Sequence, residues 1–180
     1  RPRPTPREVD FPYFLFVGTR SGYKNFSLLP KAMQRLRSEH DVGLVLVGPA
    51  LAEAERRELM TVMPANRLQQ VSANEDDLAA LYQHSLGLVF PSKMEGYGLP
   101  AFEAAAAGTH VLLSRIPIFT ELAGSWARFF DPDDPEDLAH QMAEVIECPL
   151  APDAVRERRA SLPTWDSCAQ QHVRLYRELV

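Results

Sequence analysis

The run Glu95-Gly96-Tyr97-Gly98-Leu99-Pro100-Ala101-Phe102-Glu103 follows an apolar stretch that ends at Pro91 and precedes four alanines, Ala104 to Ala107. An apolar run, a glycine-bearing turn and a helix-forming tract in that order describe a strand-to-helix turn, here with a carboxylate at either end. In an open parallel sheet such turns line the crevice beyond the carboxyl ends of the strands, where ligands sit. Pro100 suits the first helical position, because its φ is already helical and its missing N–H would have no partner there. That placement puts Glu103 in the first helical turn, where the helix dipole favours a carboxylate able to accept two hydrogen bonds from a cis-diol such as a ribose. Gly96 and Gly98 permit positive φ and close approach of backbone amides, and the helix start beyond them adds unpaired N–H donors, so the segment reads as a phosphate seat. Glu95 projects from the turn toward whatever the phosphates carry. Glycines in such a turn, or one glutamate at a helix start, have ordinary steric and dipolar explanations. It is the combination that points to a ligand.

Outward from this segment, apolar runs alternate with amphipathic stretches, the pattern of an α/β, Rossmann-like three-layer fold with a doubly wound parallel sheet of about six strands. Strands are expected at 13–18, 43–48, 67–72, 86–91, 110–114 and 127–131. Helices are expected at 27–38, 52–63, 75–84, 100–107, 135–147 and 165–179, with a weaker one at 153–160. Thr164 and Asn74 read as N-caps, and Trp165, Ala169, Val173 and Tyr176 make an apolar stripe on the last helix. The opening Arg1-Pro2-Arg3-Pro4-Thr5-Pro6 resists helix and sheet, so 1–10 reads as a linker from a preceding domain and 11–180 as one ligand-binding domain.

The first strand ends in Gly18-Thr19-Arg20-Ser21-Gly22-Tyr23-Lys24-Asn25-Phe26. Arg20 and Lys24 bring the positive charge that a diphosphate needs, and Ser27 is placed to cap the next helix. A solvated turn residue is the bland reading of Arg20. Tyr97 has two readings, against the bound ligand or packed on the sheet edge.

Composition narrows the alternatives. One hundred and eighty residues with 46% hydrophobic content suit a single core, and a net charge of -5 argues against a general nucleic-acid binder. No apolar stretch approaches the roughly 20 residues that span a bilayer. Cys148 and Cys168 lack metal-ligand spacing and read as reduced thiols; the five histidines form neither a triad nor a ligand pair, so no metal site is expected. The first turn is not G-x-G-x-x-G, no G-K-[ST] occurs, and Gly18, Gly48 and Pro91 stand where a receiver domain needs an aspartate.

The segment P-S-K-M-E-G-Y-G-L-P-A-F-E-A-A-A-A-G-T-H-V (91–111) resembles the donor-site signature of the retaining glycosyltransferases of family 4, whose two-domain architecture is called GT-B. The resemblance runs from Tyr13 to about Tyr176, taking in F-V-G-T-R-S-G-Y-K-N-F (16–26) and T-W-D (164–166). It implies that the chain is the carboxy-terminal, donor-binding half of such an enzyme. Glu103 then binds the ribose of a nucleoside diphosphate sugar, Glu95 contacts the transferred hexose near the reacting carbon, and Lys24 meets the donor phosphates with the amides of Gly96 to Leu99. The family often adds an arginine directly after the first glycine. Thr19 stands there, and spacing leaves open whether Arg20 substitutes.

The resemblance further implies that the base is received after the third strand, around Asn74, Glu75 and Asp76, and that the last helix returns toward the amino-terminal half. The wording G-Y-K-N-F resembles bacterial mannosyltransferases of surface-polysaccharide synthesis, lipopolysaccharide included, which favours GDP-mannose, with UDP and ADP sugars as alternatives. No cofactor or metal is implied. The acceptor, a glycan or lipid-linked saccharide, would meet the amino-terminal half, in the cytoplasm at the inner face of the membrane with peripheral contact. Without that half the domain is expected to bind donor weakly and turn over nothing. The competing reading is a non-catalytic nucleotide-sugar binding or regulatory module of the same fold.

Overall fold

A computed structural model describes residues 9–124 and 126–179; of the expected linker, 1–8 lie outside the described residues. The strands are β1 (Tyr13–Val17), β2 (Gly43–Val47), β3 (Leu68–Val71), β4 (Gly87–Phe90), β5 (His110–Ser114) and β6 (Arg128–Phe130). They form one parallel sheet in the order β3-β2-β1-β4-β5-β6, the Rossmann-like arrangement expected. The helices are α1 (Leu28–Leu36), α2 (Glu53–Val62), α3 (Glu75–His84), α4 (Leu99–Ala107), α5 (Pro117–Ala123), α6 (Pro135–Glu147), α7 (Pro152–Ser161) and α8 (Trp165–Glu178).

The central strands are apolar at nearly every position because helices cover both faces of the sheet. Successive side chains divide between two cores. Phe14, Phe16, Leu44, Leu46, Val89 and Leu112 pack with α1 and α6 on one face. Leu15, Val17, Val45, Val47, Leu88, Phe90 and Leu113 pack with α3, α4 and α5 on the other. Each fully buried residue of this kind stabilises the fold by about 2 kcal/mol. Chain order reverses direction across the sheet between β1 and β4, so the crevice opens between the turns that leave Val17 and Phe90. Those are the two turns in which the sequence concentrates charge and glycine.

Four expectations need correction. Ser27 does not cap α1; it already has helical φ and ψ, and the chain enters α1 through backbone turns from Leu28 N–H to Asn25 and from Leu29 N–H to Phe26. Residues 65–67 form a 3-10 turn that shortens β3. The helix α5 was not anticipated, since seven residues are too few to display a 3.6 period, although Pro117 in its first turn and Gly124 just past its end punctuate it. The fourth concerns the start of α4. Gly98 takes the cap in the left-handed region with φ 81, which makes Leu99 the first helical residue and Pro100 the second. Glu103 is therefore the fifth, outside the first turn where the dipole is felt.

The caps at Asn74 and Thr164 are present: Asn74 accepts from Asp77 N–H at 2.9 Å and Thr164 from Ser167 N–H at 3.0 Å. The helix α8 buries none of its residues, leaving Trp165 and Tyr176 79% and 63% exposed. No described helix is long and apolar enough to cross a membrane.

Candidate functional site

The turn after β1 carries two cations with different fates. Arg20 has only 4% of its side chain exposed. Its Nε–H donates to Glu55 at 3.1 Å, and one terminal nitrogen donates to the carbonyls of Pro49 at 2.7 Å and Ala50 at 2.8 Å. Glu55 in turn accepts from Ala52 N–H at 2.7 Å at the start of α2. Arg20 thus clamps the turn after β1 to the turn after β2 and is not the solvated residue of the bland reading. Its other terminal nitrogen is buried with no hydrogen-bond partner among the described residues, while the guanidinium lies 5.8 Å from the Phe26 ring centre. Thr19 is exposed.

Lys24 ends a 3-10 turn, Gly22–Lys24, and its ammonium donates to Glu95 Oε1 at 2.6 Å. The two side chains are 14% and 10% exposed. The ammonium also lies over the Phe90 ring at 4.9 Å, adding a cation–π contact at the end of β4. A backbone bond from Lys93 N–H to Tyr23 O at 2.7 Å joins the same two turns, and Asn25 donates to Pro132 O at 2.7 Å, fixing the first turn against the loop after β6. The structure therefore brings Lys24 and Glu95, 71 positions apart, to the switch point of the sheet.

Beyond Glu95 the turn becomes α4. Gly98 is required by its backbone: besides φ 81, a Cβ there would stand 2.6 Å from Phe119 Cε1. Gly96 lies outside the left-handed region and has open space around it, so positive φ is not its reason for being glycine. Among the described residues no side chain caps the amino terminus of α4. Tyr97 and Leu99 are 42% and 47% exposed. The Tyr97 ring stacks on Phe102 at 4.8 Å, and Phe102 meets Trp126 edge-on at 5.3 Å, so Tyr97 packs on the flank of α4 instead of the sheet edge.

Glu103 is exposed, and its Oε2 accepts a 3.0 Å hydrogen bond from the hydroxyl of Tyr82 on α3. Tyr82 itself is 2% exposed. Burial first, and the neighbouring Glu103 charge second, push the phenol pKa well above its ordinary value of 10, so this hydroxyl stays a donor. The sequence reading missed Tyr82 and Glu55. No local signal marks either, because Tyr82 sits where an apolar core residue is expected and Glu55 lies in a run of mixed charge.

The family described as Glycosyl transferases group 1 matches residues 2–161. The chain is 30% identical over 166 residues to the MMP alpha-(1->4)-mannosyltransferase of Mycolicibacterium hassiacum, covering 87% of this chain and 40% of that protein. It is 31% identical over 166 residues to the serotype-specific mannosyltransferase WbdA of Escherichia coli, covering 88% of this chain and 20% of that one. The chain thus spans well under half the length of these relatives. Among solved structures it resembles sucrose-phosphate synthase from Thermosynechococcus elongatus with a TM-score of 0.76 and 27% identity, covering 96% of this chain and 46% of that one.

Proposed function

This chain belongs to the glycosyl transferases group 1 family, and from that premise we propose that it is the donor-binding half of a retaining glycosyltransferase. In this reading the enzyme moves a hexose from a nucleoside diphosphate sugar to a hydroxyl of a glycan or lipid-linked saccharide. Mannose carried on GDP is the favoured donor, in keeping with what the two relatives above are named for. The observation that carries the reading is the Lys24–Glu95 pair at the sheet's switch point, beside the uncapped amino terminus of α4.

The chemistry follows from charge. A departing nucleoside diphosphate gathers negative charge on oxygen, which Lys24 and the amides of Gly96 to Leu99 stabilise. Before donor binds, Lys24 is neutralised by Glu95. An incoming diphosphate takes over the ammonium, and Glu95 turns to the hexose, orienting it and stabilising an oxocarbenium-like centre. Glu103 accepts the ribose hydroxyls, which leaves Glu95 without the paired acid that a hydrolase requires. Arg20 supports the phosphate turn from behind through its clamp on Glu55.

Titration calorimetry with GDP, UDP and ADP sugars on wild type and Glu103→Ala tests the reading. At least one sugar nucleotide is expected to bind, and the variant to lose about ten-fold in affinity. Heat from none of them, or equal binding by the variant, refutes it.

A further inference from the structure

Glu103 stands on the second turn of α4, beyond the reach of the helix dipole, and is exposed to solvent. A free glutamate in that setting samples many rotamers and loses them when a ligand arrives. Its carboxylate is nevertheless tethered, because Tyr82 donates to Oε2 at 3.0 Å from a ring that is itself 2% exposed. The tether is anchored in turn. Tyr13 on β1, buried at 3%, donates its hydroxyl to Leu81 O at 2.9 Å, and Ser85 Oγ donates to Tyr82 O at 2.9 Å. The end of α3 is therefore held on the sheet, and the Tyr82 hydroxyl cannot follow a carboxylate that swings away.

Resting on the donor-site reading above, we infer that Tyr82 is a positioning residue for nucleotide recognition. Its hydroxyl holds Oε2 of Glu103 so that the remaining acceptor oxygen is presented preformed to the sugar hydroxyls of a nucleoside diphosphate. Two consequences follow. Tyr82 matters only for ligands with ribose hydroxyls to offer, and it acts only through Glu103.

The test is titration calorimetry of GDP, UDP and ADP and of their 2′,3′-dideoxy counterparts on wild type, Tyr82→Phe, Glu103→Ala and the double variant. Tyr82→Phe removes one hydroxyl and leaves the buried ring, so the melting temperature is expected to move by no more than about 2 °C. The ribonucleotide that binds wild type should bind Tyr82→Phe about five-fold more weakly, while its dideoxy counterpart binds both alike. The double variant should be no weaker than Glu103→Ala alone. Glu103→Asp supplies a check with Tyr82 intact: it withdraws the carboxylate by one methylene, should show the same selective loss, and should gain no further defect from Tyr82→Phe. Equal losses for ribo and dideoxy ligands, no loss at all, or losses that multiply in the double variant overturn the role of Tyr82. If Glu103→Ala itself fails to distinguish ribo from dideoxy ligands, the ribose reading of Glu103 falls first, a result separable from the failure of Tyr82 alone.

Discussion

The two ends of α4 are finished in opposite ways. At its carboxy terminus Gly108 N–H donates to the carbonyls of Ala104 and Ala105, Arg159 from α7 donates to Ala106 O at 2.7 Å and Ala107 O at 2.9 Å, and Arg158 donates to Thr109 O at 2.7 Å. Protein groups and two cations answer the negative end of the helix. At the amino terminus no side chain caps the helix, Gly98 brings the backbone in bare, and the nearest turn holds a lysine already paired to a glutamate. One end is completed by the fold. The other carries no side-chain cap among the described residues, and in the donor-site reading proposed above it is the end that meets the diphosphate, which would separate stabilising from functional charge within a single element.

Substitutions at the two ends should therefore differ in kind. The largest effect belongs to Lys24→Ala, expected to weaken GDP by about 30- to 100-fold, or roughly 2–3 kcal/mol, while leaving guanosine unchanged in titration calorimetry. An equal loss for guanosine would mean that Lys24 only holds the turn, erasing the difference between the ends. Next is Gly98→Ala, which forces a Cβ into the left-handed region at 2.6 Å from Phe119. A destabilisation of about 2 kcal/mol is expected from denaturant melts.

Arg159→Ala removes the clamp at the closed end. It should cost about 1 kcal/mol of stability in the same melts and leave nucleotide affinity untouched. A loss of affinity would show the closed end to be coupled to the site.

The smallest effect is a pH dependence beside the closed end. His110 is buried and donates from Nε2 to Cys148 O at 3.0 Å. Burial lowers its pKa below the ordinary 6.5, outweighing that hydrogen bond, with Arg128 and Arg158 adding to the fall. The unfolded chain thus binds a proton more readily than the folded one, so the contribution of His110 is full above pH 6.5 and is lost as pH falls through and below that value. His110→Gln should flatten the wild-type decline in stability between pH 7.5 and 5.5, read from melting temperatures. Identical slopes would remove His110 from the account.

Much of the fold could be read from the chain because the deciding signals are local. Buried parallel strands are continuous apolar runs, so β1, β2, β4 and β5 stand out, and the glycine-and-proline punctuation of 96–100 announces the turn between β4 and α4. Signals that need length or company were lost. The helix α5 has seven residues and shows no period. Glu103 was placed in the first turn because Pro100 favours the first helical position, yet the left-handed Gly98 starts the helix one residue earlier. Arg20 reads in the sequence as a cation for a diphosphate or as a solvated turn residue, and its clamp on Glu55 is invisible there because the two lie 35 positions apart.

By itself the sequence determined the order of the strands and of every helix but α5, the identity of the two charged turns and, through short motifs, the family to which the chain belongs, since each is signalled by residues within a few positions of one another. Only the tertiary structure decided that Lys24 is paired to Glu95, that Arg20 braces one turn against another, and that Tyr82 holds Glu103. Those pairings join residues 71, 35 and 21 positions apart. The first two exist because the crossovers of a parallel sheet return every strand's carboxyl end to the same side, and the third because α3 and α4 pack side by side on one face of the sheet, geometric consequences that no local stretch of side chains encodes.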